Sequence, residues 1–397
     1  MTDTPPPRWL LPAIVIAQLL ATSLWFAPNA VLATLQADWS MGGGEGIVTT
    51  AVQLGFITGT LCFALLGVAD RFHPGTVFLA SAVTGAAANA SILLFHEFFA
   101  PVLLARFLVG FCLAGVYPVG MKMAAGWYGG GLGWALGFLV GALVLGTASP
   151  HLLRALGAEW SWQAVLAGTS CLAVAAGVLA RLVPEGPYLQ RGGSIRFGGV
   201  LRAFRVRRFR ASAMGYFGHM WELYGFWAFV PVWLAAYGLQ GAELSLAAFA
   251  TIGLGALGCA GGGFLARHWG GGRVASTQLG ISGACCLLSP LLFAAPPLAF
   301  GLFMALWGIT VAGDSPQFSA LNARYAPRKL VGSALTMANC IGFSVSIGSL
   351  TLLEWLQRWM DPAWLLIALL PGPILGVLAA RPLWSGTPAD PAAAARE

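Results

Sequence analysis

The chain has 397 residues, of which 58% are hydrophobic and only 9% charged, and it carries a formal net charge of +7. A soluble domain carries about 25% charged residues, and surface-to-volume scaling leaves a soluble fold of this length nowhere to hide so much apolar area. A soluble globular enzyme is excluded on that ground, and with no basic folded face the positive charge is not the footprint of nucleic-acid binding.

A membrane-spanning helix needs roughly 20 mostly apolar residues. The amino-terminal "MTDTPPPRW" lacks the cleavage pattern of a signal peptide, so the first apolar run is expected to stay as a helix. Read from there, the chain offers twelve candidate spans, at 9–33, 45–67, 75–95, 99–124, 131–153, 161–183, 210–237, 243–265, 273–293, 297–320, 330–353 and 362–382. The only strong divider within 272–320 is "AAPPLA". The seven cysteines all lie in apolar runs and form no CxxC pair, so neither a disulfide framework nor a zinc site is expected, and no cofactor is implied.

The charges test the count. With twelve spans both termini share one side of the membrane, and most of the 21 basic residues fall on it. They include Arg8, Arg71, Lys122, Arg267, Arg273, Arg324, Arg328, Lys329 and Arg381, together with the arginines of the central loop. Arg154 and Arg358 fall on the other side, and Arg106 lies within a span. The positive-inside rule then puts both termini in the cytoplasm of a bacterial inner (plasma) membrane protein. The loop "PEGPYLQRGGSIRFGGVLRAFRVRRFR" divides the chain almost in half. The expected organisation is a six-helix half at 1–183, a basic cytoplasmic linker at 184–209 lying on anionic lipid, a second six-helix half at 210–383 and a disordered tail at 384–397.

Two matching turns stand at equivalent places in the halves, "LLGVADRFHPG" at 65–75 and "GGFLARHWGGGR" at 262–273. Repeated six-span halves are the architecture of a large transporter class. The first turn resembles the Gly-x-x-x-Asp-Arg cytoplasmic motif of the major facilitator superfamily, carried here by Asp70 and Arg71. "RFLVGFCLAG" at 106–115 resembles that family's fourth-helix motif, with Arg106 as its arginine. The second turn departs from the motif, with Arg267-His268 where Asp-Arg would stand. The resemblance implies an all-α fold of twelve transmembrane helices in two pseudo-symmetric halves. It also implies a cavity lined by helices one, four, seven and ten. Spans three, six, nine and twelve hold no Asp, Glu or Lys, whereas spans four, seven and ten hold Arg106, His219, Glu222 and Asp314, which agrees with that lining. The fifth span carries Gly133, Gly137, Gly141 and Gly146 before Pro150, a pattern of close helix packing rather than of an antiporter.

"GYFGHMWELY" at 215–224 places an imidazole and a carboxylate three residues apart near the middle of span seven. Desolvation disfavours the charged form of a carboxyl, so a membrane-buried glutamate can exchange a proton near neutral pH, and an imidazole can relay it. Glu222 and His219 are therefore the candidate proton-coupling pair, with a fixed structural pair as the other reading. Arg106 stays charged in any environment and requires a carboxylate, backbone carbonyls or an anionic substrate. With Trp25, Asn29, Gln53, Tyr117 and Asn339 it makes up the candidate substrate contacts. Asp70, Arg71, Lys122 and Asp314 are candidate gate residues, Asp314 through Arg324, Arg328 or Lys329. A scattered set of soft side chains (Met121, Met123, Met214, Met220, Met337 and Cys340) suits copper, but Met is also a routine gap-filler between helices.

The resulting expectation is a monomeric secondary transporter, not an enzyme, that moves a small polar or anionic solute by proton-coupled alternating access. No phosphate-binding Gly-x-x-x-x-Gly-Lys loop points to ATP drive. A copper importer, a drug or metabolite exporter, and a non-transporting membrane sensor or assembly factor on the same fold remain the alternatives.

Overall fold

The computed structural model describes residues 7–32, 34–35, 45–128, 132–156, 161–189, 202–327 and 330–384. The middle of the expected linker, nearly all of the expected tail, and Arg328 and Lys329 lie outside the described residues. Every regular element among the described residues is helical, as lipid demands, because a helix satisfies its own backbone without water. Twelve helices carry the fold. They are α1 (Leu10–Thr22), α2 (Glu45–Leu66), α3 (Pro74–Phe95), α4 (Phe99–Trp127), α5 (Leu132–Leu156) and α6 (Trp162–Arg181). They continue as α7 (Arg207–Tyr237), α8 (Gly241–Trp269), α9 (Gly271–Phe293), α10 (Pro297–Tyr325), α11 (Val331–Leu356) and α12 (Pro362–Leu383). Ten of them are long and apolar enough to cross a membrane. The other two are α1, an apolar helix of 13 residues, and α7, which has 31 residues but opens on "RRFR" and carries His219 and Glu222.

The chain divides into two compact units, residues 1–194 with 241–249, and residues 195–240 with 250–397. Within the first, α1 packs on α5 and α6, α2 on α4, and α3 on α4 and α6. Within the second, α7 packs on α11 and α12, α8 on α10, and α9 on α10 and α12. The same pairings recur, and so do the residues that permit them. A Cβ on Gly110 of α4 would come within 1.8 Å of the Val52 carbonyl oxygen of α2, and one on Gly308 of α10 within 1.9 Å of the Thr251 carbonyl oxygen of α8. Glycine is required at both points because the two backbones touch there.

Several expected spans are interrupted, α8 at Leu254 and α12 by a 3-10 turn at Leu366–Leu369 among them, and two, α4 and α10, share the sequence of their break. α4 consists of Phe99–Leu113 and Tyr117–Trp127, and α10 of Pro297–Gly313 and Ser315–Tyr325. Both breaks fall on the same pattern, Ala114-Gly115-Val116-Tyr117-Pro118 and Ala312-Gly313-Asp314-Ser315-Pro316. Proline has no N–H for the carbonyl four residues back, and the glycine before it lets a neighbour approach. At Gly115 that neighbour is Ser81 with Phe63; at Gly313 it is the Gln278 amide. The first span also ends earlier than expected, at Thr22, and continues through Asn29–Val31 as a 3-10 turn. Pro28 explains it, since it cannot bond the Leu24 carbonyl.

Candidate functional site

α7 brings three titratable groups together with α9 and α10. Glu222 is the central residue of α7 and is 1% exposed. Its Oε1 accepts from Ser282 Oγ and Cys286 Sγ of α9 and from Trp307 Nε1 of α10, the last at 2.9 Å and the thiol at 3.3 Å. Phe226 packs at a tilt against the Trp307 indole with ring centroids 4.7 Å apart. All three donors converge on one oxygen of the carboxyl, an arrangement that leaves the other oxygen to carry a proton without disturbing those bonds.

His219 does not share Glu222's partners. Its Nδ1 lies 2.7 Å from Asp314 Oδ1 across the break in α10, with side chains 1% and 0% exposed. The contact is at ion-pair distance but off line for a hydrogen bond, and His219 Nε2 and Asp314 Oδ2 have no hydrogen-bond partner among the described residues. The sequence expectation joins Asp314 to Arg324, Arg328 or Lys329. Instead it points inward to α7, because it sits at the break and its side chain makes no capping bond to its own helix. Gly215 and Gly218 let α7 approach closely: a Cβ there would meet the Phe318 ring at 2.3 Å and the Gly372 carbonyl oxygen at 2.4 Å.

In the first unit the buried charge is Arg106, which is 0% exposed. Its Nη1 donates to the Leu24 carbonyl at 2.9 Å and its Nη2 to the Trp25 carbonyl. Of the partners open to it in sequence, the backbone is the one it takes: Pro28 frees the Leu24 carbonyl and the guanidinium fork fills the gap. Trp25 packs on Phe56 with centroids 5.0 Å apart, and Asn29 Nδ2 donates to Thr49 Oγ1 at 3.0 Å. Gln53 is fully buried on α2. Tyr117 and Asn339 are half-buried, one just past the break in α4 and the other on α11 of the second unit.

At the turn between α2 and α3, Gly67 takes φ +60° and ends α2, as left-handed glycines do. Asp70 in the following turn pairs with Lys122 of α4, whose Nζ also donates to the Ala69 carbonyl at 2.6 Å. Arg71 is exposed beside them.

Sequence reasoning missed Ser282, Cys286 and Trp307 as partners of Glu222, since nothing in their own segments marks them. It also missed Gln18, Thr147 and His151. These are fully or almost fully buried on α1 and α5, and Gln18 Oε1 and Nε2, Thr147 Oγ1 and His151 Nε2 have no hydrogen-bond partner among the described residues. A glutamine and a histidine inside apolar runs were the available signal.

Twelve helices, a repeated set of pairings and a few ionisable groups buried among them define a polytopic membrane protein. The sequence profile of the Major Facilitator Superfamily matches residues 14–350, so the chain belongs to that family. No curated relative matches the sequence. Among solved structures, the chain is similar to a point variant of the E. coli fucose:proton symporter FucP, at 13% identity and TM-score 0.66, covering 96% of this chain and 100% of that one. It is similar to FucP in the outward conformation at 14% identity and TM-score 0.67, covering 95% and 99%. It is also similar to the human organic anion transporter MFSD10 (TETRAN) at 14% identity and TM-score 0.71, covering 95% and 100%. At such identities the likeness concerns the fold.

Proposed function

We propose that this Major Facilitator Superfamily protein is a proton-coupled secondary transporter of a small polar solute, working by alternating access in a bacterial inner membrane with both termini cytoplasmic. The observation that carries the reading is Glu222, a fully buried carboxyl at the middle of α7 that faces three hydrogen-bond donors and, among the described residues, no cation. Ionisable groups inside a bilayer mark ion pathways and proton relays, and a carboxyl held by neutral donors can alternate between charged and neutral forms in place. The symporter named among the similar structures supports the reading by analogy only. Arg106 commits both terminal nitrogens to backbone carbonyls, which favours a neutral solute over an anionic one. Lys122 with Asp70 would serve as a closure that parts during the cycle.

The test is counterflow and pH-driven uptake in proteoliposomes against a panel of labelled polar solutes. Glu222→Gln should lose uphill, pH-driven accumulation and keep exchange at equal pH, since exchange need not release a proton. Unchanged accumulation in that variant returns Glu222 to a structural role.

A further inference from the structure

We infer that the groove between α9 and α12, at the end of the second unit that carries the turn 262–273, is a binding site for one anionic phospholipid. Its phosphate would sit on Arg273 and an acyl chain would lie along α9. The site is separate from Glu222, and its test requires neither a substrate nor transport.

Glycines bring the two helices together, and small residues open the groove beside their contact. A Cβ on Gly272 would come within 2.5 Å of the Leu383 carbonyl oxygen, and one on Gly283 within 2.7 Å of Pro373 Cβ. α9 and α12 therefore touch at two levels. Beside that seam lies a groove of about 700 Å³, a volume within the range of ligand pockets. Arg273, Thr277, Gly280 and Ala284 line it at helical spacing, so they form one stripe along α9. Gly280 leaves the space open, since a Cβ there would meet nothing nearer than Val377 Cγ2 at 3.9 Å.

The two ends of the groove differ in chemistry. Trp269, the last residue of α8, and Trp384, just past α12, flank its mouth and are 57% and 41% exposed. Trp384 Nε1 donates to Ser276 Oγ at 2.9 Å, and the Trp384 carbonyl accepts from Arg273 Nε at 2.8 Å. Both side chains are thereby held in place, and the two terminal nitrogens of Arg273 are left for an anion. A guanidinium fork matches phosphate oxygens bidentately, and tryptophan is enriched at the level of lipid headgroups. Deeper in, Ile281, Ala284 and Val377 make the lining apolar, and none of the lining residues is acidic.

Length decides the occupant. From Arg273 to Ala284 the stripe runs about 16 Å at 1.5 Å per residue. That is about half of a hydrocarbon core of about 30 Å, the depth of one leaflet. A free phosphate would use the arginine and leave the apolar length empty. An anionic phospholipid fills both.

Native mass spectrometry of the full chain in detergent reads the first bound molecule. The probes are phosphatidylglycerol, phosphatidylcholine with the same chains, and inorganic phosphate. Phosphatidylglycerol should bind about tenfold more tightly than phosphatidylcholine, as one charge-assisted contact implies. Arg273→Gln should abolish that preference. Gly280→Leu fills the groove from an exposed position and should weaken both lipids. Arg267→Gln removes an exposed arginine of the same turn that does not line the groove, and should leave the first site unchanged. Lipid-free melting temperatures separate loss of the site from loss of the fold. Equal affinity for the two lipids, equal losses in Arg267→Gln and Arg273→Gln, unaltered lipid binding in folded Gly280→Leu, tight binding of phosphate alone, or a chain dimer that shuts lipid out would each overturn the proposal.

Discussion

Two of the broken helices, α4 and α10, share a backbone device and differ in what is placed on it. Both carry Ala-Gly-x-x-Pro, and both seat a glycine against a neighbouring helix. At the third position α4 has Val116, 1% exposed, whereas α10 has Asp314 paired with a histidine. The groups beside the breaks follow the same division. In the first unit a buried arginine is fixed on backbone carbonyls, and in the second a buried carboxyl faces neutral donors while a histidine lies against the aspartate of the break. The repeated device therefore carries an apolar residue in one copy and an acid in the other.

Exchanging the distinguishing residues should break the comparison most severely. Val116→Asp would put an acid where no cation waits, and an unpaired buried charge costs about 3–5 kcal/mol, so the variant should express poorly or melt far below the wild type. Full stability would mean that the break in α4 is wetter than its burial suggests. Arg106→Met should come next. It leaves the Leu24 and Trp25 carbonyls buried without donors, at about 1–3 kcal/mol each. Arg106→Lys should recover part of the loss, since an ammonium keeps the charge but not the fork. The reciprocal of the first change, Asp314→Val, should cost less, about 1–2 kcal/mol, because it leaves only a neutral imidazole behind. The sharper readout is melting temperature against pH, which should flatten in that variant. Lys122→Met should have the smallest effect on stability, about 0.5–1 kcal/mol for a partly exposed pair, and should show instead as a change in transport rate.

Much of this division could be read in the sequence, and part of it could not. The helix count follows from apolar run lengths and charge placement, because lipid imposes a fixed thickness on every helix; the compact units, residues 1–194 with 241–249 and 195–240 with 250–397, do not keep the expected bounds at 183 and 210. The Ala-Gly-x-x-Pro repeat was legible but is easily overlooked, since each copy sits within an apolar run that reads as one continuous helix. Pro28 likewise announces where the Leu24 carbonyl is freed, though not that Arg106, from α4, fills it. Partner choice was hidden. His219 and Glu222 lie one turn apart on α7, and spacing alone couples them. The structure instead aims His219 at α10's break and Glu222 at α9 and α10, because the direction of each side chain is set by helix crossings that no local pattern encodes.

The central claim is that Glu222 gains and loses a proton while buried. Infrared difference spectroscopy of the reconstituted protein across a pH titration tests it without any substrate. The account predicts a protonated-carboxyl C=O stretching band that titrates in the wild type, disappears in Glu222→Gln and persists in Arg106→Lys. An unchanged set of titrating bands in Glu222→Gln would contradict it.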